Sequence, residues 1–126
     1  MSSIKEINNL QLHGNAGCIV KKQGHILVVK LWGSRKWDIP AGKPLPGEIS
    51  SKTAERETWE EAGVQVQVVR RLEFIEDPKE GSLYIYEAVA LDQTLPLNTS
   101  LKLNNQFNQE VIEARFLPIN NLALLI

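Results

Sequence analysis

The chain has 126 residues, 43% of them apolar and 23% charged, and its formal net charge is −1. These values are typical of one globular domain, residues 1–126, that can bury a core. Without a run of Lys or Arg, they argue against nucleic acid or an anionic membrane as a partner. Because the chain has one cysteine, no secretory signal and no apolar run long enough to cross a bilayer, we expect a cytoplasmic protein.

The first half of the chain predicts short strands joined by turns. Residues 16–21 and 25–32 are rich in aliphatic side chains, and the polar turn between them predicts a hairpin. Pro40 should end a strand in the stretch KWDIPAG. Residues 42–48, GKPLPGE, contain two glycines and two prolines and predict a shaped, stiff loop.

A helix is predicted after this loop. Ser50 or Ser51 is expected to cap its N-terminus, strong helix formers fill it, and Gly63 stands where a left-handed C-cap belongs.

The second half of the chain predicts a return to strands. Alternating apolar and polar residues at 64–76 and 82–91 predict an antiparallel pair joined by the turn 77–81. A long loop at 92–108 leads to a last strand at 110–119. One helix among about six strands indicates an α+β fold, with the helix covering one face of the sheet.

Three glutamates cluster near the end of the predicted helix. At 100° per residue, Glu57, Glu60 and Glu61 fall within an arc of about 100°. Like charges at this spacing repel one another, and anions in the last turn are disfavoured by the helix dipole. A hard divalent cation such as Mg²⁺ would relieve both effects, which indicates a metal site. The alternative is a solvated acidic face on which Arg56 forms a surface ion pair.

The stretch from residue 42 to residue 64 resembles the signature of the Nudix hydrolase family. The matching positions are Gly42, Glu48, Arg56, Glu57, Glu60, Glu61, Gly63 and Val64. Two positions depart from the pattern. Thr58 fills a slot that is usually apolar, and Ala41 stands where the family often has a second glycine whose carbonyl helps to bind metal.

The resemblance implies a fold, a reaction and a cofactor. The fold would be an α/β/α sandwich with a mixed sheet. The reaction would be MutT-like hydrolysis, with Mg²⁺ or Mn²⁺, of a nucleoside diphosphate linked to another moiety. The signature does not distinguish an NTP or dNTP from ADP-ribose, a nucleotide sugar or a dinucleoside polyphosphate. A sensor that binds nucleotides or ADP-ribose without hydrolysis is the alternative, but the complete set of acidic positions favours catalysis.

Roles within the signature also follow from the resemblance. Glu60 and Glu61 would bind metal, together with the carbonyl of Ala41, and Glu57 would bind metal or activate the water. Arg56 would hold Glu57 through a bidentate pair and keep its pKa low. The remaining signature positions, Gly42, Glu48 and Gly63, would organise the loop and the helix end.

Outside the signature, the candidates are fewer. The family often draws another carboxylate from far downstream, for which Glu110 is the first candidate and Glu113 the second. A surface role for Glu110 stays open. Trp37 and Tyr84 are candidates for stacking on a nucleobase, although aromatic residues in strands more often form a wall of the core.

The C-terminal sequence INNLALLI predicts a second helix that is very short or missing. Family members usually cover the other sheet face with this helix. Either the chain is a minimal version, or that face is buried against a partner, or a longer protein was cut here. A homodimer would cover the apolar surface.

Overall fold

The computed structural model describes residues 12–34, 36–76, 78–79, 81–103 and 110–122. Within these residues the strands are β1 Ala16–Lys22, β2 His25–Leu31, β3 Trp37–Asp38, β4 Ala41–Gly42, β5 Val66–Ile75, β6 Leu83–Ala90 and β7 Val111–Pro118. The helices are α1 Ser50–Ala62 and α2 Ile119–Leu122.

The strands form one mixed sheet, in which β1 and β2 pair only briefly before they diverge. The main order is β3-β2-β1-β6-β5, with β4 beside β1 and β7 beside β2. The β1–β6 pair is parallel and the other pairs are antiparallel. The predicted hairpin is confirmed at its turn, where Gln23 and Gly24 have φ values of 48° and 74°, as a type I′ turn requires. The predicted α+β class is therefore confirmed.

Helix α1 lies on the sheet through small side chains. Ala54, Thr58 and Ala62 recur every four residues, so they share one face, and each is 0% exposed. Their small volume lets the helix axis approach β1 and β5 closely. Thr58 fits this face because its hydroxyl donates to the Ala54 carbonyl oxygen at 2.7 Å, so the departure from the usual apolar residue leaves no unpaired group.

The two ends of α1 differ in how well they were predicted. The expected serine cap is wrong, because Ile49 is the N-cap and both serines lie buried in the first turn. The hydroxyl of Ser50 instead forms a hydrogen bond with the hydroxyl of Tyr86. At the other end, Gly63 has φ 70° and donates its N–H to the Trp59 carbonyl oxygen at 2.9 Å, which confirms the left-handed C-cap.

The predicted second helix is short: α2 contains four residues. Residues 123–126 lie outside the described part of the chain, as do residues 1–11, 35, 77, 80 and 104–109. The last of these ranges includes the C-terminal end of the predicted long loop. None of the helices in the described residues is long and apolar enough to cross a membrane.

Candidate active site

Arg56 is the centre of the polar network on α1. Its Nε and Nη2 donate to the two carboxylate oxygens of Glu48 at 2.9 and 3.0 Å. Its Nη1 donates to Glu57 at 2.9 Å and to Glu60 at 2.8 Å, and Nη2 also reaches the Lys43 carbonyl oxygen at 2.7 Å. One guanidinium therefore fixes the loop before the helix and two of the helix carboxylates at once.

This arrangement corrects the predicted partner of Arg56. The bidentate pair is with Glu48, whereas Glu57 receives a single hydrogen bond. The hydrogen bonds from Arg56 hold the pKa of Glu48 at about 2, helped by the Leu45 N–H and the Thr53 hydroxyl. For Glu57 the expected low pKa is wrong: burial raises its pKa although Arg56 acts in the opposite direction.

Gly42 lies directly against the carboxylate of Glu57. A Cβ atom at position 42 would come within 2.3 Å of the Glu57 carboxyl carbon, so any larger residue would push this carboxylate away. The glycine is needed here for close approach between β4 and α1, because its own φ is not in the left-handed region.

Ala41 anchors Glu61 through its backbone. The Ala41 N–H donates to Glu61 Oε1 at 2.7 Å. The φ angle of Ala41 is not positive, so an alanine adopts this backbone without strain. Space for its methyl group comes from Gly17 on β1, where a Cβ atom would lie 2.6 Å from the Ala41 Cβ. The departure at position 41 is thus compensated outside the signature.

Glu61 is the carboxyl group with the least charge compensation. Burial, together with the smaller effects of the negative charges of Glu57, Glu110 and Asp38, raises its pKa to about 8, and the Ala41 N–H acts in the opposite direction. Glu110 is therefore brought near the site, as predicted for the distal carboxylate. Asp38 was missed by the sequence reasoning. Its only signal was an acidic residue at a strand end shortly before the signature.

The second distal candidate, Glu113, is occupied elsewhere. Its carboxylate accepts hydrogen bonds from the Ser100 hydroxyl at 2.6 Å and from Arg115 Nε. The hydrogen bond from Ser100 lowers the pKa of Glu113, and Arg115 acts in the same direction. Of the two candidates, only Glu110 acts on Glu61 in this structure.

An open cavity of about 460 Å³ adjoins Ala41 and Gly42. Its walls combine charged and polar side chains with aliphatic ones: Asn15, Asp38, Lys43, Ser82, Ile75 and Leu83. Neither predicted stacking residue lines it. Trp37 is 9% exposed and packs with Val28, and the ring of Tyr84 lies 4.4 Å from that of Phe74. Both rings therefore have packing roles, and their contact with substrate stays a prediction.

The donor atoms at this site suit a hard divalent cation. Carboxylate oxygens are the ligands that Mg²⁺ prefers. The negative charges of Glu57, Glu110 and Asp38 act on Glu61, so a bound cation would neutralise them. Among the described residues, no three acidic, histidine or cysteine side chains form a ready-made cage. Mg²⁺ does not require one, because it keeps several waters and often uses one or two protein carboxylates.

Comparison with known sequences identifies the family. A model of the NUDIX domain matches residues 11–126. A MutT-like protein of Streptomyces ambofaciens is 31% identical over 70 residues, which are 54% of this chain and 46% of that protein. An RNA pyrophosphohydrolase of Serratia proteamaculans is 34% identical over 59 residues, 46% of this chain and 34% of that protein. The matched stretch thus spans less than half of each of these relatives.

Solved structures share the fold. A NUDIX hydrolase from Nitrosomonas europaea has a TM-score of 0.67 at 24% identity, covering 87% of this chain and 60% of that one. A UDP-X diphosphatase has a TM-score of 0.66 at 16% identity, covering 95% and 61%. An ADP-ribose pyrophosphatase from Streptococcus suis has a TM-score of 0.65 at 17% identity, covering 84% and 73%. The match over nearly the whole chain, together with this shared fold, shows that the protein belongs to the NUDIX domain family.

Proposed function

We propose that the chain is a metal-dependent pyrophosphohydrolase that cleaves the phosphoanhydride bond of a nucleoside diphosphate linked to another moiety. The observation that carries this proposal is the Arg56 network, which holds Glu57 and Glu60 beside Glu61 at the edge of a cavity. The relatives named RNA pyrophosphohydrolase, UDP-X diphosphatase and ADP-ribose pyrophosphatase support the same bond type.

In this proposal Glu60, Glu61 and the carbonyl of Ala41 hold Mg²⁺ or Mn²⁺. When bound, the ion neutralises the diphosphate and stabilises the charge that develops on it. The negative side chains could not hold an anionic substrate without it, since Glu57, Glu61, Glu110 and Asp38 all repel phosphate oxygens.

The protein's own side chains would then orient the reactants. Glu57 is fixed at one oxygen by Arg56, so it can align a water and accept its proton. The water oxygen forms a bond to phosphorus while the bridging phosphoanhydride bond breaks, and the leaving phosphate carries away the electron pair. The products are a nucleoside monophosphate and the phosphorylated second moiety, which the adjoining cavity would hold through Lys43, Asn15 and Ser82.

A metal-dependent assay over several substrate classes tests the proposal. Phosphate, pyrophosphate and nucleotide products are measured with Mg²⁺, with Mn²⁺ and with EDTA, for dNTPs, ADP-ribose, nucleotide sugars and Ap4A. We expect turnover of at least one class with metal and none with EDTA. A folded protein that binds nucleotides but turns over none of these classes would contradict hydrolysis and support a sensor.

A further inference from the structure

Trp32 is the most exposed of the large apolar residues in the described part of the chain. Its side chain is 80% exposed, compared with 59% for Leu91 and 54% for Leu45. Single exposed apolar residues are ordinary on protein surfaces, so exposure alone assigns no role. Two further observations indicate a role for this ring: the backbone that carries it is fixed, and the ring lies beside the active site.

The backbone that carries Trp32 is fixed by hydrogen bonds. Trp32 is the second residue of a turn closed by the Ser34 N–H and the Leu31 carbonyl oxygen at 3.0 Å. Gly33, the third residue, has φ 80°, as that position of a type II turn requires. The Trp32 N–H also donates to the Glu110 carbonyl oxygen at 2.7 Å, which ties the turn to the start of β7. The ring is thus presented to solvent from a rigid support.

The same contact places Trp32 beside the active site. Its neighbour Glu110 lies close enough to Glu61 for its charge to act on that carboxyl group. The strand register gives the same placement: Val29, three residues before Trp32, pairs with Asp38, which lines the cavity, so Trp32 lies about 10 Å along the chain from that pair. A nucleotide with its phosphate near Glu61 extends far enough to bring its base to the turn that carries Trp32.

The two aromatic residues predicted to stack on a nucleobase are engaged in packing. Trp37 is 9% exposed in a small apolar cluster, and Tyr84 packs on Phe74. Among the described residues that line the cavity beside Ala41 there is no aromatic side chain. The most exposed aromatic ring that a base could meet is therefore that of Trp32, at 80% compared with 37% for Phe74 and for Trp59.

We propose that Trp32 stacks on the nucleobase of the nucleotide that this site binds. The inference rests on the proposed function for the nature of the ligand, but it concerns affinity and not hydrolysis. Stacking of a base on an aromatic side chain is worth about 1–3 kcal/mol and tolerates every base, so this contact gives affinity for nucleotides with little selection between them.

The nearby apolar residues allow a different use of the ring. Leu31 and Ile112 are 38% and 50% exposed, so a second copy of the chain is the alternative occupant of this surface. Three side chains are too small a patch for a stable interface, which buries about 800 Å² on each partner.

Nucleoside monophosphates test the inference without turnover, because they contain no phosphoanhydride bond. AMP and UMP are titrated with Mg²⁺ into the full chain and into Trp32→Ala, Trp32→Phe and Ile112→Ala, with calorimetry and tryptophan emission as readouts. Ribose 5-phosphate, which lacks a base, is the control ligand. Circular dichroism and thermal unfolding check that each variant is folded.

We expect the Kd of AMP and UMP to rise about tenfold or more in Trp32→Ala and to change less than about threefold in Trp32→Phe and Ile112→Ala. Quenching of tryptophan emission by AMP should vanish in Trp32→Phe although affinity persists, which a merely structural residue would not show. The Kd of ribose 5-phosphate should be the same in the wild type and in Trp32→Ala.

Equal affinity of the wild type and Trp32→Ala for AMP would overturn the inference, as would failure of the wild type to bind any nucleoside monophosphate at millimolar concentration. A change of molecular mass in Trp32→Ala with unchanged nucleotide affinity would show that the ring serves self-association instead. If the hydrolysis assay fails while AMP binding depends on Trp32, the proposed function falls and this inference stands.

Discussion

The two flanks of helix α1 carry the same kind of side chain in opposite electrostatic states. On one flank, Glu48, Glu57 and Glu60 share a single arginine, and the pKa of Glu48 is held at about 2. On the other flank, Glu61 receives one backbone N–H, and burial with neighbouring charges raises its pKa to about 8. The first flank is balanced by Arg56, whereas no lysine or arginine in the described part of the chain forms an ion pair with Glu61.

This contrast separates the carboxylates that an arginine neutralises from the carboxyl group that a cation would neutralise. A balanced network of partly buried ion pairs is rigid, and it keeps the loop and the helix in register. A carboxyl group with excess negative charge around it gains the most from a cation, so the ion is expected on the Glu61 flank. The following four expectations probe the two flanks, beginning with the greatest change in free energy.

Removal of the arginine from the balanced flank should destabilise the fold. Arg56→Met removes the cationic partner of three partly buried carboxylates, so we expect the free energy of unfolding to fall by about 3 kcal/mol, measured with urea. The matched control is Arg70→Met, because the Arg70–Glu87 pair is 45% and 24% exposed. That change should cost about 0.5 kcal/mol. Equal losses in the two variants would show that the Arg56 network is not special.

A substitution on the unbalanced flank should lower activity and leave stability intact. Glu61→Gln keeps the shape and the bond from Ala41 but removes the charge, so we expect kcat to fall by about 10²-fold or more. Above about pH 8, where the wild-type carboxyl group is ionised, the metal-free variant should be at least as stable as the wild type, because a buried charge has been removed. Glu73→Gln on the exposed part of β5 is the control and should keep wild-type kcat. An unchanged kcat in Glu61→Gln would remove the site assignment.

The two flanks should also respond to pH in opposite directions. Because the folded pKa of Glu61, about 8, lies above its ordinary value of 4.5, its contribution to stability is complete below about pH 4.5 and is lost as the pH rises through 8. We expect metal-free protein to lose about 2 kcal/mol over this range, less than the whole shift would give because Glu61 is partly in contact with solvent. Glu48 contributes above pH 4.5, and its contribution is lost only as the pH falls towards 2.

Thermal unfolding at several pH values checks this expectation. The decline between pH 5 and 8 should be absent in Glu61→Gln, and Mg²⁺ should raise the Tm of the wild type more at pH 8.5 than at pH 6, since the ion binds the ionised carboxyl group. A Tm that is flat across this range in metal-free wild type would contradict the assigned environment of Glu61.

The smallest effect should distinguish the two distal glutamates. Glu110 acts on Glu61, whereas Glu113 is paired with Ser100 and Arg115. We therefore expect Glu110→Gln to lower kcat about tenfold, which corresponds to about 1.4 kcal/mol of transition-state stabilisation, and Glu113→Gln to leave it within about twofold. Initial rates at saturating substrate measure both. Similar rates for the two variants would place both carboxylates outside the reaction.

The parts of the site that follow from local geometry were predictable from the sequence. The spacing of Glu57, Glu60 and Glu61 places all three within an arc of about 100° once the helix is recognised, and Gly63 predicts the left-handed helix end. The mixed sheet followed from the order of strands and turns together with the family resemblance. These features depend on residues that are close along the chain.

The errors concern contacts that depend on the path of a loop or a crossing of strands. Arg56 pairs most fully with Glu48 because the Leu45 N–H and the Thr53 hydroxyl turn that carboxylate towards the helix. The charge of Asp38 acts on Glu61 because β3, which carries Asp38, pairs with β2, while β4 pairs with the neighbouring strand β1 and anchors Glu61. No periodicity in the sequence predicts that Arg56 pairs with Glu48 or that Asp38 acts on Glu61, because only the folded backbone brings these groups together.

Gly17 has a wider consequence than its place in β1 suggests. A Cβ atom there would meet the Pro40 carbonyl oxygen and the Ala41 methyl group, each at 2.6 Å. Any side chain at position 17 would lift β4 off β1 and withdraw the N–H that anchors Glu61, although every residue of the signature would stay in place. A relative that keeps all the acidic positions but carries a bulky residue at this point of the first strand should therefore be an inactive protein that the signature alone would count as an enzyme.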